Sequence, residues 1–88
     1  MKLLKFYLDT CQPCKTITPI IEDIISEDDL ELININVKDE PDLAEKYGVK
    51  SVPTLVLIES DDNAEDFAVL RAPLNADNIV DFLDDNNV

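Results

Sequence analysis

The feature that most restricts how this chain can fold is a change of hydrophobic period across a pair of cysteines. Residues 2 to 8 form an apolar run broken only by Lys5, which predicts an inner strand with an unusual charge in it. From Gln12 onward, Ile17, Ile20, Ile21, Ile24 and Ile25 recur at i, i+3, i+4, i+7 and i+8, the spacing of a helix with one buried stripe. Between the two lies Cys11-Gln12-Pro13-Cys14, which holds the only 2 cysteines of the chain. A thiol pair at that spacing can close a small ring reversibly. The start of a helix offers unpaired N–H groups and partial positive charge that stabilise a thiolate, so Cys11 is the candidate nucleophile.

The rest of the chain continues the alternation. Pro13 is tolerated in a first helical turn, where its missing N–H has no partner to lose. Pro19 falls inside the apolar pattern and removes the bond to the Lys15 carbonyl, which predicts either a kink or a junction of two helices. An acidic link from Ser26 to Asp29 leads to a strand over Leu30 to Val37, whose alternation of Ile33, Ile35 and Val37 with Asn34 and Asn36 predicts a sheet edge. Asp39 is placed to cap a short helix with Pro41 in its first turn, Leu43, Ala44 and Tyr47 inward, and Gly48 as its left-handed terminator. Thr54 to Ile58 is continuously apolar and predicts a central strand. The acidic run Glu59 to Asp66 turns into a strand over Phe67 to Leu70. Asn75 is placed to cap a last helix, with Leu74 and Ile79 as a hydrophobic staple and Ile79, Phe82 and Leu83 inward. The order βαβαββα predicts an α+β sandwich over residues 1–88: one domain with a four-stranded mixed sheet and helices on both faces.

Charge narrows the function. The 20 acidic and 7 basic side chains give a formal charge of −13, which repels nucleic acid and anionic membranes; steering toward a basic face on a partner is the sharper use of it. Met1 to Leu8 is too short for a signal segment and no stretch is long enough to span a bilayer, so a soluble, cytoplasmic protein is expected. Zinc wants four ligands, and the chain has no histidine and no third cysteine, so no metal is expected unless two chains share one. A structural disulfide closing so short a loop restrains little entropy. A redox pair remains.

Taken together, Asp9-Thr10-Cys11-Gln12-Pro13-Cys14-Lys15 with Pro19, the segment Lys46-Tyr47-Gly48-Val49-Lys50-Ser51-Val52-Pro53-Thr54-Leu55, and the ending Phe82-Leu83-Asp84 resemble the thioredoxin family over nearly the whole chain. The resemblance implies a thioredoxin-like fold without the family's N-terminal strand and helix, as in glutaredoxins and compact phage-encoded redoxins. It implies that Cys11 attacks a target disulfide, that Cys14 resolves the mixed disulfide, and that the Cys11 thiol is depressed as in thioredoxin itself, where it titrates at about 7. It further implies that Pro53 is cis and lies against the cysteines, with the Val52 backbone free for an extended substrate; from the sequence alone a trans proline opening a strand stays open. Pro13 would stiffen the loop and favour a reducing potential.

Four places depart from the family pattern. Thr10 stands where the family carries tryptophan, Gln12 where it carries glycine, and Lys5 where it carries a buried aspartate. The ammonium of Lys5 either reaches Cys14 and favours its thiolate, or runs along the strand to the sheet edge. Arg71-Ala72-Pro73 stands where a glycine is usual before the last helix. On the resemblance, substrate contacts fall to Thr10, Gln12, Val52, Pro53, Arg71 and Ala72, with Pro13, Pro53 and Lys5 in support of Cys11 and Cys14. The implied activity is that of a monomeric dithiol-disulfide oxidoreductase without cofactor, acting on disulfide-containing proteins, reduced by thioredoxin reductase and able to supply enzymes such as ribonucleotide reductase. Two alternatives stand beside it: a glutathione-dependent glutaredoxin-like reductase, and a non-catalytic binding subunit.

Overall fold

The computed structural model describes residues 2–26, 30–58 and 67–86. The elements are β1 (Lys2–Tyr7), α1 (Gln12–Ile24), β2 (Glu31–Asn36), α2 (Pro41–Lys46), β3 (Thr54–Ile58), β4 (Phe67–Arg71) and α3 (Ala76–Asp85). Most of the acidic link at 27–29 and the acidic run at 59–66 lie outside the described residues.

The sheet order is β2-β1-β3-β4, with β1 parallel to β2 and antiparallel to β3, and β3 antiparallel to β4. The apolar run of β1 therefore sits inside, with Leu3, Leu4, Lys5 and Phe6 all buried, as is every residue of β3. The alternating pattern of β2 belongs to an edge, where one face is half wet. Because side chains alternate along a strand, each inner strand serves two cores. Leu3, Leu55 and Leu57 pack with Ile17, Ile21 and Ile25 from the first helix and Ile79, Phe82 and Leu83 from the last. Leu4, Phe6, Val56 and Ile58 pack with Ala44 and Tyr47 from the short helix on the opposite face. Full burial of a side chain such as Phe6 or Ile21 is worth about 1.5–3 kcal/mol.

The helix ends follow local chemistry. α1 runs unbroken through Pro19, which is exposed, so the two-helix alternative does not hold. The expected cap at Asp39 is displaced: the N-cap of α2 is Glu40, and no side chain caps it. Pro41 in the first turn forces the residue before it out of helical geometry, so the boundary falls at 40 whatever Asp39 offers. At the other end Gly48 has φ +67°, with Gly48 N–H donating to Glu45 O (3.1 Å) and Val49 N–H to Ala44 O (2.8 Å), the paired bonds of a Schellman terminus. α3 opens on Asn75, whose side chain accepts from Asn78 N–H while that of Asn78 accepts from Asn75 N–H, each at 2.9 Å. Leu74 and Ile79 both join the first core, as a staple requires.

Candidate active site

The first turn of α1 is built around sulfur. Cys11 is its N-cap in extended geometry (φ −87°, ψ 105°), and its Sγ accepts from Cys14 N–H at 3.2 Å. An N-cap acceptor is normally served by the second or third helical residue. Pro13, the second, has no N–H, so the bond falls to Cys14. The two cysteines form a disulfide with their Cα atoms 5.3 Å apart. Their exposures differ: Cys11 is partly exposed and Cys14 is 2% exposed. The same sulfur pair thus has one reachable end and one closed end.

Three loops meet beside the disulfide. A groove of about 350 Å³ is lined by Pro13, Val52, Pro53, Ala72, Pro73 and Leu74. The Val52–Pro53 peptide bond is cis, and so is Ala72–Pro73. The second of these loops is tied to α3 by Asn78, whose amide Nδ2 donates to Pro73 O at 2.8 Å. The strand directions account for the convergence, because with β3 antiparallel to both β1 and β4 the turns entering β3 and leaving β4 open at the same end of the sheet as the turn leaving β1.

Of the residues expected in substrate contact, Val52, Pro53 and Ala72 line this groove together with Pro13. Thr10 and Gln12 are exposed and do not line it. Arg71 is directed elsewhere: its Nη2 donates to Gly48 O at 3.3 Å, joining the end of β4 to the loop after α2. Pro73 and Leu74 were missed by sequence reasoning. Their position directly after Ala72, in the turn before the last helix, was the available signal.

Lys5 does not run to the sheet edge. It is 4% exposed on the central strand, its Nζ donates to Thr18 Oγ1, and it shares a cavity of about 180 Å³ with Cys14. The strand period puts Lys5 on the same face as Leu3, the face covered by α1, and from there its stem reaches the helix instead of solvent. Burial holds the ammonium below its ordinary pKa of 10.5, with Glu22 acting weakly in the other direction. Thr18 was also missed; its place four residues after Cys14, on the same helical side, was the signal.

Among the described residues no helix is long and apolar enough to cross a membrane.

Comparison with known proteins agrees with this geometry. The chain is 43% identical to the thioredoxin of Chlamydia caviae over 58 residues, covering 65% of this chain and 57% of that protein. It is 33% identical to the thioredoxin of Buchnera aphidicola over 86 residues, covering 96% of this chain and 77% of that one. Among solved structures, a mutant thioredoxin from Halobacterium salinarum superposes with a TM-score of 0.79 at 31% identity, covering 96% of this chain and 72% of that one. A thioredoxin from Thermosipho africanus superposes with a TM-score of 0.80 at 22% identity, covering 98% and 93%, a likeness of fold. The chain spans less than two thirds of the length of several curated relatives it matches, 57% and 61% in the thioredoxins of Rickettsia bellii and Pyropia yezoensis. The thioredoxin family profile matches residues 1–85. With that match over almost its full length, a Cys-x-x-Cys turn capping the first helix and a cis-proline loop beside it, this chain belongs to the thioredoxin family.

Proposed function

We propose that the protein is a dithiol-disulfide oxidoreductase that reduces disulfides in other proteins through Cys11 and Cys14. The observation that carries this reading is the unequal exposure of the bonded pair: Cys11 open at a helix N-terminus, Cys14 2% exposed behind it. In the reduced form, Cys11 as thiolate is stabilised by the Cys14 N–H and the helix terminus. It attacks one sulfur of a target disulfide, forming a mixed disulfide and expelling the other sulfur as thiolate. Cys14 then attacks the Cys11 sulfur, closing the Cys11–Cys14 bond and releasing the second target thiolate. Two electrons leave the protein, and the target gains both.

An extended target segment fits the groove lined by Pro13, Val52, Pro53 and Ala72, with the Val52 backbone available to pair with it. Thr10 and Gln12 would meet the target at the rim. Electrons would be restored by a thioredoxin reductase, in a reducing compartment such as the cytoplasm, and ribonucleotide reductase is one enzyme the protein could supply. Insulin-disulfide reduction separates the reductants: turnover is expected with NADPH and thioredoxin reductase, and not with NADPH, glutathione and glutathione reductase. Absence of turnover in both arms removes the reading. A Cys11→Ser protein that retained the biological function would make it a binding subunit instead.

A further inference from the structure

Val52 lines a second hollow besides the groove, and the disulfide chemistry above makes no use of it. This hollow has a volume of about 100 Å³ and is walled by Leu8, Val37, Val49, Lys50, Ser51 and Val52. The four apolar members are only half-buried, and the two polar members, Lys50 and Ser51, are exposed. Open apolar surface beside a cation matches an acid carried on a short methylene stem.

The walls are held in place before anything binds. Cys11 N–H donates to Leu8 O at 3.0 Å, Val37 N–H to Tyr7 O at 3.0 Å, and Val49 N–H to Ala44 O at 2.8 Å. Thr54 Oγ1 donates to Ser51 O at 2.7 Å. Filling the hollow therefore orders little that is not already ordered. The first of these bonds also ties the hollow to the nucleophile. Charge marks the same place: the chain has 20 acidic side chains for 7 basic ones, yet among the described residues neither Lys50 nor Lys38, which follows Val37, makes an ion pair. The carboxylates of Asp39 and Glu40 are exposed and pair with neither lysine.

We propose that this hollow is a specificity subsite for a glutamate of the target, its methylenes against Leu8, Val37 and Val52 and its carboxylate on the Lys50 ammonium and the Ser51 hydroxyl. The inference rests on the dithiol reading above and names the class of target: proteins with a glutamate within two residues of the reacting cysteine. An extended segment paired with Val52 advances about 3.3 Å per residue, so such a residue comes past the wall that the groove and the hollow share. Aspartate brings the charge with one methylene fewer and leaves the hollow underfilled. Glutamine fills it and leaves Lys50 without a counter-charge. No covalent step is added; sulfurs and electrons move as before.

The formal charge of −13 acts in the opposite sense, repelling any acidic target at long range. At physiological ionic strength that field is screened beyond about 8 Å, whereas a carboxylate on Lys50 lies well inside that distance. Faster reaction of an acidic peptide therefore reports contact at the hollow and not steering.

The test follows oxidation of the reduced protein in a single turnover, by acid quench and chromatography, at physiological ionic strength. The substrates are synthetic peptides with one internal disulfide, carrying glutamine or glutamate in turn at each position within two residues of a cysteine. At one of these positions glutamate is expected to raise the second-order rate about threefold, and aspartate to raise it less. In Lys50→Met the glutamate and glutamine peptides are expected to react equally, and in Lys50→Glu the order to reverse. Lys50 is exposed, so neither substitution removes a buried contact. Equal rates at every position with the unaltered protein, aspartate as effective as glutamate, or a glutamate preference that persists in Lys50→Met each overturns the subsite. Equal reduction of all the peptides leaves the dithiol reading intact, whereas reduction of none removes that reading itself.

Discussion

At the scale of single residues, the molecule is defined by which polar atoms it exposes and which it encloses. Cys11 was identifiable from spacing alone, because a sulfur directly before a helical stripe stands at a helix N-terminus, and the structure makes it the N-cap. The fate of Lys5 was not, since a four-carbon stem in an apolar strand can end in several places and its end is decided by Thr18, 13 residues further on. Lys5 also makes a stability statement. Its native pKa lies below the unfolded 10.5, so between the two values the unfolded chain binds more protons and stability rises with pH; below the native value the whole cost is carried. In the oxidised protein, Lys5→Met is therefore expected to raise stability at neutral pH, on the order of 1 kcal/mol. The gain should shrink as pH approaches 10.5, which thermal melts across that range would reveal. At the sulfurs, Cys14→Ser is expected to trap the target as a mixed disulfide on Cys11, visible by mass spectrometry, and Cys11→Ser to trap none.

At the scale of elements, the helices begin and end where side chains satisfy the backbone. Gly48 is left-handed at φ +67°, and the nearest atom a Cβ would meet is Arg71 Nη2 at 3.8 Å, so space is not the constraint. The cost of Gly48→Ala is therefore conformational, about 1 kcal/mol by denaturant titration, and Gly48→Asn should lose less. Asn78 serves two neighbours at once, accepting from Asn75 N–H and donating to Pro73 O. Removing it as Asn78→Ala is expected to cost about 1 kcal/mol and to slow insulin reduction while the Cys11–Cys14 pair still cycles, because it loosens one wall of the groove. These two termini could be read from residue types. The start of α2 could not be read from Asp39, because Pro41 overrides the better capping side chain by steric exclusion.

At the scale of the whole molecule, a formal charge of −13 on 88 residues is a standing repulsion that salt screens. Raising ionic strength from low to physiological values is expected to raise the melting temperature. It should also slow reduction of a basic target more than that of a neutral one, which matched stopped-flow rates would compare. The sheet carries the other global consequence. By setting β1 and β3 side by side between two edges, it brings Pro13, Val52, Pro53 and Ala72 to one groove from three distant loops.

Sequence by itself determined the elements, their order, the edge and central strands, and the sulfur pair at the mouth of α1. All of these are written in periods of two or 3.6 and in local capping chemistry, which short stretches carry alone. Only the tertiary structure decided that Arg71 turns to Gly48, that Pro73 joins the groove, and that Lys5 is enclosed beside Cys14. Those outcomes depend on where the ends of long side chains and the walls of loops meet across the sheet, and no local pattern encodes a meeting between residues far apart in the chain.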